Sequence, residues 1–317
     1  MTIEQLRTQI LSKPSYFKES YRTIADRFEV SLDTVQDAFN SSEIQQAKRE
    51  YNYRGYTQPT KKEPNVRTRT PREQRFITQL RNKSKSLPRP YTRGNVDNVL
   101  IIGDTHIPFD RPGYLEFCRG VQQEFDCGTI IHIGDEVDNC ALSQYERDPD
   151  GLSAMSEFEI SLERLKDWYK VFPEVKVCIG NHTARPFRMA RTIGIPSKFI
   201  RSYEEIWESP IGWEWEESFE FHGVHYTHGN GSSGATAALK RAMQLRQPVV
   251  MGHLHKEAGI QFNVSSRDAI WGMNVGCGIS DTEYAFYYAK DDPRKSIVSC
   301  AVVLNHGKLP IIKLMEL

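Results

Sequence analysis

The sequence predicts an α/β domain preceded by a small all-α module. Three observations carry that expectation. Five short apolar runs between Val99 and Met251 have the length and β-branched content of buried strands, and each leads into a side chain able to bind metal, usually beside a glycine. The stretch from Ser156 to Phe172 is amphipathic at helical spacing, with Phe158, Leu162, Leu165 and Trp168 on one face, and it lies between two of those runs. Residues 1–50 show helical spacing only, and a basic segment with several prolines, residues 51–97, separates them from the domain expected over 98–317.

The first element is a helix. Thr2 and Gln5 have capping-box spacing, Ile3, Leu6 and Ile10 share one helical face, and Pro14 ends the run. The stretch Tyr21–Phe39 resembles a helix-turn-helix. Ala25 is small where two helices cross closely, and Ile24, Phe28, Val30, Val35 and Phe39 form a shared core. Ser31 is placed to cap the second helix, and Gln36 to read a base edge from it. Two features oppose DNA binding: Glu29 stands where glycine commonly makes the turn, and Asp33 and Asp37 would repel phosphates. The alternative is a three-helix module that binds protein or forms a homo-oligomer.

The chain carries no net charge, yet residues 48–93 hold 14 basic against 3 acidic side chains. A segment of that kind suits a polyanion, and Lys61, Lys62, Arg67 and Arg69 are candidate DNA contacts; the alternative is a solvated linker. Tyr51, Tyr53, Tyr56 and Tyr91 are interleaved with the charges and suit either stacking on bases or packing on the chain's own domain. Arg75–Leu80 has the pattern of a short helix; Pro59, Pro64, Pro71, Pro88 and Pro90 favour extended backbone around it. The six cysteines show no C-x-x-C spacing and read as buried thiols in a reducing compartment. No apolar leader or membrane-length run is present, so the cytoplasm is the expected location, with no membrane partner.

The strands come next. Val99–Gly103 runs into Asp104-Thr105-His106, and Thr129–Gly134 into Asp135-Glu136-Val137-Asp138. Val175–Gly180 leads to Asn181-His182, Val224–Thr227 to His228-Gly229, and Val249–Gly252 to His253-Leu254-His255. Open α/β sheets place their chemistry at the carboxyl ends of strands. Imidazole and carboxylate together suit borderline divalent ions.

This ordered series resembles the calcineurin-like metallophosphoesterase superfamily over the whole of residues 98–317. The context, including Met273-Asn274-Val275-Gly276-Cys277, is similar to members carried by tailed phages, which would place the protein in a host cytoplasm. The resemblance implies a sandwich of two mixed β-sheets flanked by helices. It implies two divalent ions, manganese first, with iron, zinc or nickel as alternatives. Asp104, His106, Asp135 and His255 would hold one ion; Asp135, Asn181, His228 and His253 the other. Asp135 would bridge them, and a bridging hydroxide would attack the phosphoester. Asp138 would orient a ligand.

By the same resemblance His182 sits at the substrate, to protonate the leaving oxygen or hold a phosphate oxygen. The family usually has Asp or Glu next, where this chain has Thr183, which leaves the orientation of His182 open. Arg185 is a candidate phosphate contact or an ordinary surface arginine. Gly229–Gly234 lacks the lysine of a phosphate-binding loop and reads as a tight turn opening a helix. Between Ile195 and Trp215, where the family varies its substrate cap, Tyr203, Trp207, Trp213 and Trp215 either stack on bases or pack internally. Ser299–Lys313 reads as a hairpin turning at Asn305-His306-Gly307. The expected function is phosphodiester hydrolysis with nucleic acid as substrate. The alternatives are a phosphomonoesterase or nucleotide phosphodiesterase whose front end serves assembly, and a non-catalytic DNA-binding regulator.

Overall fold

The computed structural model describes residues 1–18, 21–47, 74, 78, 94–144, 151–280 and 293–316. The chain divides into two compact units, Met1–Thr68 and Arg69–Leu317.

In the first unit, helix α1 (Ile3–Ser12) opens with the expected capping box. The Thr2 hydroxyl accepts from the Gln5 N–H at 3.2 Å, and the Gln5 side chain accepts from the Thr2 N–H at 2.9 Å. Helix α2 (Tyr21–Phe28) leads to α3 (Leu32–Phe39), capped by the Ser31 hydroxyl, which accepts from the Thr34 N–H at 3.1 Å. Residues 42–47 are also helical. Leu6, Ile10, Ile24, Val35 and Phe39 are buried as expected, with Phe28 and Val30 packed against them. Ile3, expected on the same face, is exposed in the first turn of α1. Tyr16, Phe17, Ala38 and Ile44 complete the core. Glu29 turns the chain at φ +52°, a left-handed conformation that costs a non-glycine residue about 1–2 kcal/mol, so the turn forms without its usual glycine. Asp33, Gln36 and Asp37 are exposed on α3. Lys61, Lys62, Arg67 and Arg69, the interleaved tyrosines, and the expected helix Arg75–Leu80 apart from the helical Thr78 lie outside the described residues.

The second unit is an α/β sandwich of two mixed sheets flanked by helices. Its strands are β1 (Asn95–Ile102), β2 (Cys127–His132), β3 (Val175–Cys178), β4 (Trp213–Glu216), β5 (Ser218–Phe221), β6 (Val224–Thr227), β7 (Val249–Met251), β8 (Ala258–Val264), β9 (Ala269–Val275), β10 (Ser299–Leu304) and β11 (Leu309–Leu314). The 6-stranded sheet has the order β11-β10-β1-β2-β3-β4 and the 5-stranded sheet β5-β6-β7-β9-β8. β1 through β4 run parallel, with β10 and β11 antiparallel beside them. In the second sheet β6, β7 and β9 are parallel, and β5 and β8 close the edges antiparallel.

Alternation along β1 builds both cores. Val99 and Ile101 join Ile131, Val250, Met273 and Val303 between the sheets. Leu100 and Ile102 face the outer layer, where α4 (Tyr114–Glu124) and α5 (Ala154–Val171) pack. The amphipathic stretch expected from Ser156 to Phe172 is α5, whose start is capped by Ser153. Helices α6 (Arg185–Thr192) and α7 (Tyr203–Ile206) follow β3, and α8 (Ala237–Leu245) covers the second sheet through Ala238 and Ala242.

Trp207, Trp213 and Trp215 are buried in the outer core, which removes them as bases' stacking partners. Trp213 meets Tyr169 edge to face at 4.7 Å, and its indole N–H donates to the Phe172 carbonyl at 2.8 Å. Exposed apolar side chains in that region are instead Ile193, Ile195, Phe199 and Ile211. The β10–β11 hairpin turns at Asn305, His306 and Gly307, all at positive φ. All six cysteines are free. Among the described residues, no helix is long and apolar enough to cross a membrane.

Candidate metal centre

Three parallel strands of the first sheet and two of the second deliver their last residues to one end of the sandwich. β1 ends two residues before Asp104, β2 three before Asp135 and β3 three before Asn181; β6 stops next to His228, and β7 two residues before His253. Burial on both faces explains the near-continuous apolar runs that made these strands legible. The glycines beside the donors have a steric cause. A Cβ at Gly180 would strike the Asp135 carboxylate, and one at Gly252 would strike that of Asp104. Each carboxylate therefore rests directly on the backbone just past the end of another strand, β3 for Asp135 and β7 for Asp104.

The donors converge in two sets. Asp104, His106 and His255 offer ligand atoms within 4.8 Å of one another, and so do Asp135, His228 and His253. Asp135 links them: its Oδ2 lies 3.1 Å from His228 Nε2 and 3.8 Å from His106 Nε2. His255 Nε2 is 3.1 Å from Asp104 Oδ2 and 3.1 Å from His106 Nε2. The Asn181 side-chain oxygen lies 3.0 Å from His228 Nε2, so the amide joins the second set. The backbone is strained here. His106, Asp135 and His253 have φ of +48°, +49° and +67°, a conformation that each non-glycine residue holds at a cost of about 1–3 kcal/mol.

Tautomers follow from the outer partners. His228 Nδ1 faces the Ile133 carbonyl at 3.1 Å; a carbonyl only accepts, so Nδ1 carries the proton and Nε2 faces the centre. His106 Nδ1 lies 2.6 Å from Asp138 Oδ1, which likewise turns Nε2 inward. Burial by itself would lower the His228 pKa, yet the Asp135 and Asp104 carboxylates hold it up at about 9. His106 is pushed down to about 4 by burial, with His182 adding repulsion. Burial opposes the charge of Asp135 as well, but His228 and His182 keep its pKa well below the ordinary carboxylate range.

These residues fit divalent cations on a specific observation. Asp104 Oδ1 is fully buried and has no hydrogen-bond partner, although its other oxygen accepts from the His253 N–H at 2.8 Å. With His255 Nε2 3.1 Å from Oδ2 and no proton donor on Oδ1, this buried carboxylate suits a metal ligand, because an unpaired buried oxygen costs desolvation energy with no return.

His182 stands at the rim, with 15% of its side chain exposed. Its Nδ1 lies 2.7 Å from Asp138 Oδ1, so Asp138 supplies the carboxylate partner that Thr183 does not. Asp138 thus holds two imidazoles, those of His106 and His182, on one oxygen. Burial works against its charge, but those rings keep its pKa below the ordinary range. Thr183 turns the other way and donates to Glu136 Oε2 at 2.6 Å. Arg185 is no ordinary surface arginine. It donates to the Asp138 and Asn139 carbonyls at 2.9 and 3.1 Å and faces His182 Nε2 at 3.2 Å. Two influences on His182 compete. Arg185 requires a lone pair on Nε2, whereas Asp135 and Asp138 raise the pKa against the burial that lowers it. The buried carboxylate contact is the shorter, and it favours a proton on the ring.

Several residues of the site were absent from the sequence reading. Glu136, pushed up to about 7 by burial, also accepts from the Trp215 indole at 3.1 Å. Glu157 of α5 accepts from the N–H groups of Cys140 and Ala141 at 2.6 and 2.7 Å, which anchors the loop after Asp138. Asn139 donates to the His182 carbonyl at 3.1 Å. The one available signal was Glu136 beside Asp135; Glu157 and Asn139 look like ordinary polar residues until the chain folds.

No protein-family model matches this chain, and no curated protein sequence does. Solved structures similar to it include Vps29 from Chaetomium thermophilum, 10% identical, with a TM-score of 0.35 over 69% of this chain and 96% of that one. Yfce, a phosphoesterase from E. coli, is 14% identical, with a TM-score of 0.31 over 66% of this chain and 88% of that one. Nuclease MPE from Pseudomonas putida is 13% identical, with a TM-score of 0.30 over 67% and 87%. None is close enough to lend this chain an activity.

Proposed function

We propose that the second unit is a binuclear metal-dependent phosphoesterase of the calcineurin-like kind, cleaving phosphodiesters, with nucleic acid as the substrate class. One observation carries the reading. The Asp135 Oδ2 atom lies between the two donor sets, near His228 of one and His106 of the other. A carboxylate so placed serves two cations, and two cations suit phosphoryl transfer.

Asp104, His106, Asp135 and His255 would hold one ion, and Asp135, Asn181, His228 and His253 the other. Manganese is the first choice for a site of imidazoles, carboxylates and one amide oxygen, with iron, zinc or nickel as alternatives. The ions would supply Lewis acidity towards a phosphoryl oxygen and a water of lowered pKa. The chain's own residues do the rest. Asp138 turns His106 inward and aligns His182. His182, polarised by Asp138, is placed to protonate the leaving oxygen, and Arg185 to neutralise charge on the ester beside it.

The test is hydrolysis of bis-nitrophenyl phosphate, mono-nitrophenyl phosphate and labelled DNA with manganese. Cleavage of the diester and of DNA is expected. Cleavage of the monoester alone would move the substrate to phosphomonoesters, and no hydrolysis of any would leave a binding protein.

A further inference from the structure

A second cluster of metal-binding side chains lies at the other end of the strands. Asp97 is near the start of β1, His222 is in the turn between β5 and β6, and His306 is in the turn between β10 and β11. Their ligand atoms fall within 4.8 Å of one another. His222 Nε2 is 3.1 Å from Asp97 Oδ1, His306 Nε2 is 3.3 Å from Asp97 Oδ2, and the two rings meet edge to face at 4.8 Å. Asp104 lies seven positions after Asp97 along a nearly extended chain, a distance of about 20 Å, so the two sites share no ligand.

We propose that Asp97, His222 and His306 form a separate mononuclear site for zinc or a similar borderline divalent ion. Two imidazoles and one carboxylate are a zinc donor set, and three protein donors leave a position for water. The geometry suits a shared cation better than ion pairing. His222 Nε2 is buried and makes no hydrogen bond, since its direction does not fit one to the carboxylate 3.1 Å away. Two protonated rings on one carboxylate would repel each other at this spacing, whereas two neutral rings with both Nε2 atoms facing inward can share one ion.

The backbone holds these donors in place. His222 and His306 have φ of +51° and +55°, so both sit in the left-handed region that non-glycine residues seldom occupy. A Cβ at Gly307 would strike the His222 carbonyl, which shows how tightly the two turns are packed. Asp97 and His306 belong to the 6-stranded sheet and His222 to the 5-stranded one. A bound ion would therefore tie the two sheets together at the end remote from the phosphoesterase centre.

The test uses the full chain, dialysed to equilibrium against zinc chloride, with bound zinc counted by mass spectrometry. His306→Gly relaxes the left-handed turn while it removes a donor, so a loss of metal cannot be attributed to added strain. Asp97→Ala removes the carboxylate. Each variant is expected to hold one zinc fewer than the wild type, with manganese-dependent hydrolysis of bis-nitrophenyl phosphate unchanged. The zinc-dependent part of the melting-temperature increase should shrink in both, since an ion bound only to the folded chain stabilises it. Retention of the wild-type zinc count by either variant would overturn the proposal.

Discussion

Asp135 and His182 are the two residues on which the proposed chemistry turns. Asp135 accepts from the His182 N–H at 2.7 Å through Oδ1 and faces both donor sets through Oδ2. Asp135→Asn replaces one oxygen by an amide nitrogen, which cannot ligate. We expect activity to fall by more than the roughly 10–100-fold typical when a residue that only orients a ligand is lost, together with a lower metal content by elemental analysis. A variant that holds two metals and hydrolyses normally would show that the centre is wrongly assigned. His182→Ala separates two roles. A sugar alkoxide leaves poorly unless protonated, while a nitrophenolate leaves without help, and general acid catalysis is typically worth about 10²–10⁴-fold. DNA cleavage should therefore suffer far more than cleavage of a nitrophenyl ester. Equal losses on both, with the metal content intact, would leave His182 as a charge clamp on the phosphate. At this scale the sequence named side chains that the fold brings together, but not all of their neighbours. Thr183 suggested that His182 had lost its carboxylate, when Asp138, 44 positions away in the sequence, supplies one in space.

At the scale of elements, the strand ends and the glycines work together. β3 and β2 are parallel neighbours, and the close approach of Gly180 to Asp135 sets how near their ends can come. Gly180→Ala would push the Asp135 carboxylate away from both donor sets. Overpacking of this kind typically costs about 1–3 kcal/mol, and we expect a lower melting temperature together with reduced metal content. Full metal loading at an unchanged melting temperature would mean that the strand ends can separate without cost. The strands and α5 were legible because their burial patterns are regular: two buried faces for the central strands, one for the helix. The tryptophans between β3 and β5 were ambiguous, because an aromatic run reads alike whether it faces a substrate or a core.

At the scale of the whole molecule, the charge of residues 48–93 raises the question of what the proposed phosphoesterase is brought to. If Lys61, Lys62, Arg67 and Arg69 contact DNA phosphates, affinity for duplex DNA will fall steeply with salt. Each lost contact should flatten the slope of log affinity against log salt by about 0.9. Replacing these four residues by alanine in the full chain should therefore reduce that slope by about 3–4 and weaken binding similarly across sequences. An unchanged slope would assign the segment to spacing or assembly instead. If α3 reads base edges through the exposed Gln36, Gln36→Ala should alter sequence preference and leave the salt slope unchanged.

The sequence by itself determined the α/β class, the strands and the order of their donor residues, because each of these is local: an apolar run, a glycine and a metal-binding side chain within a few positions. It also determined the capping box of α1 and the Ser31 cap of α3, whose partners lie three residues away. Only the tertiary structure decided which carboxylate serves His182, why Glu136 and Glu157 are buried, and that Asp97, His222 and His306 meet. Those contacts join residues from 16 positions apart, as for Glu157 and Ala141, to well over a hundred, as for Asp97 and His222. They depend on how two sheets stack and where hairpins turn, which no periodicity along the chain records.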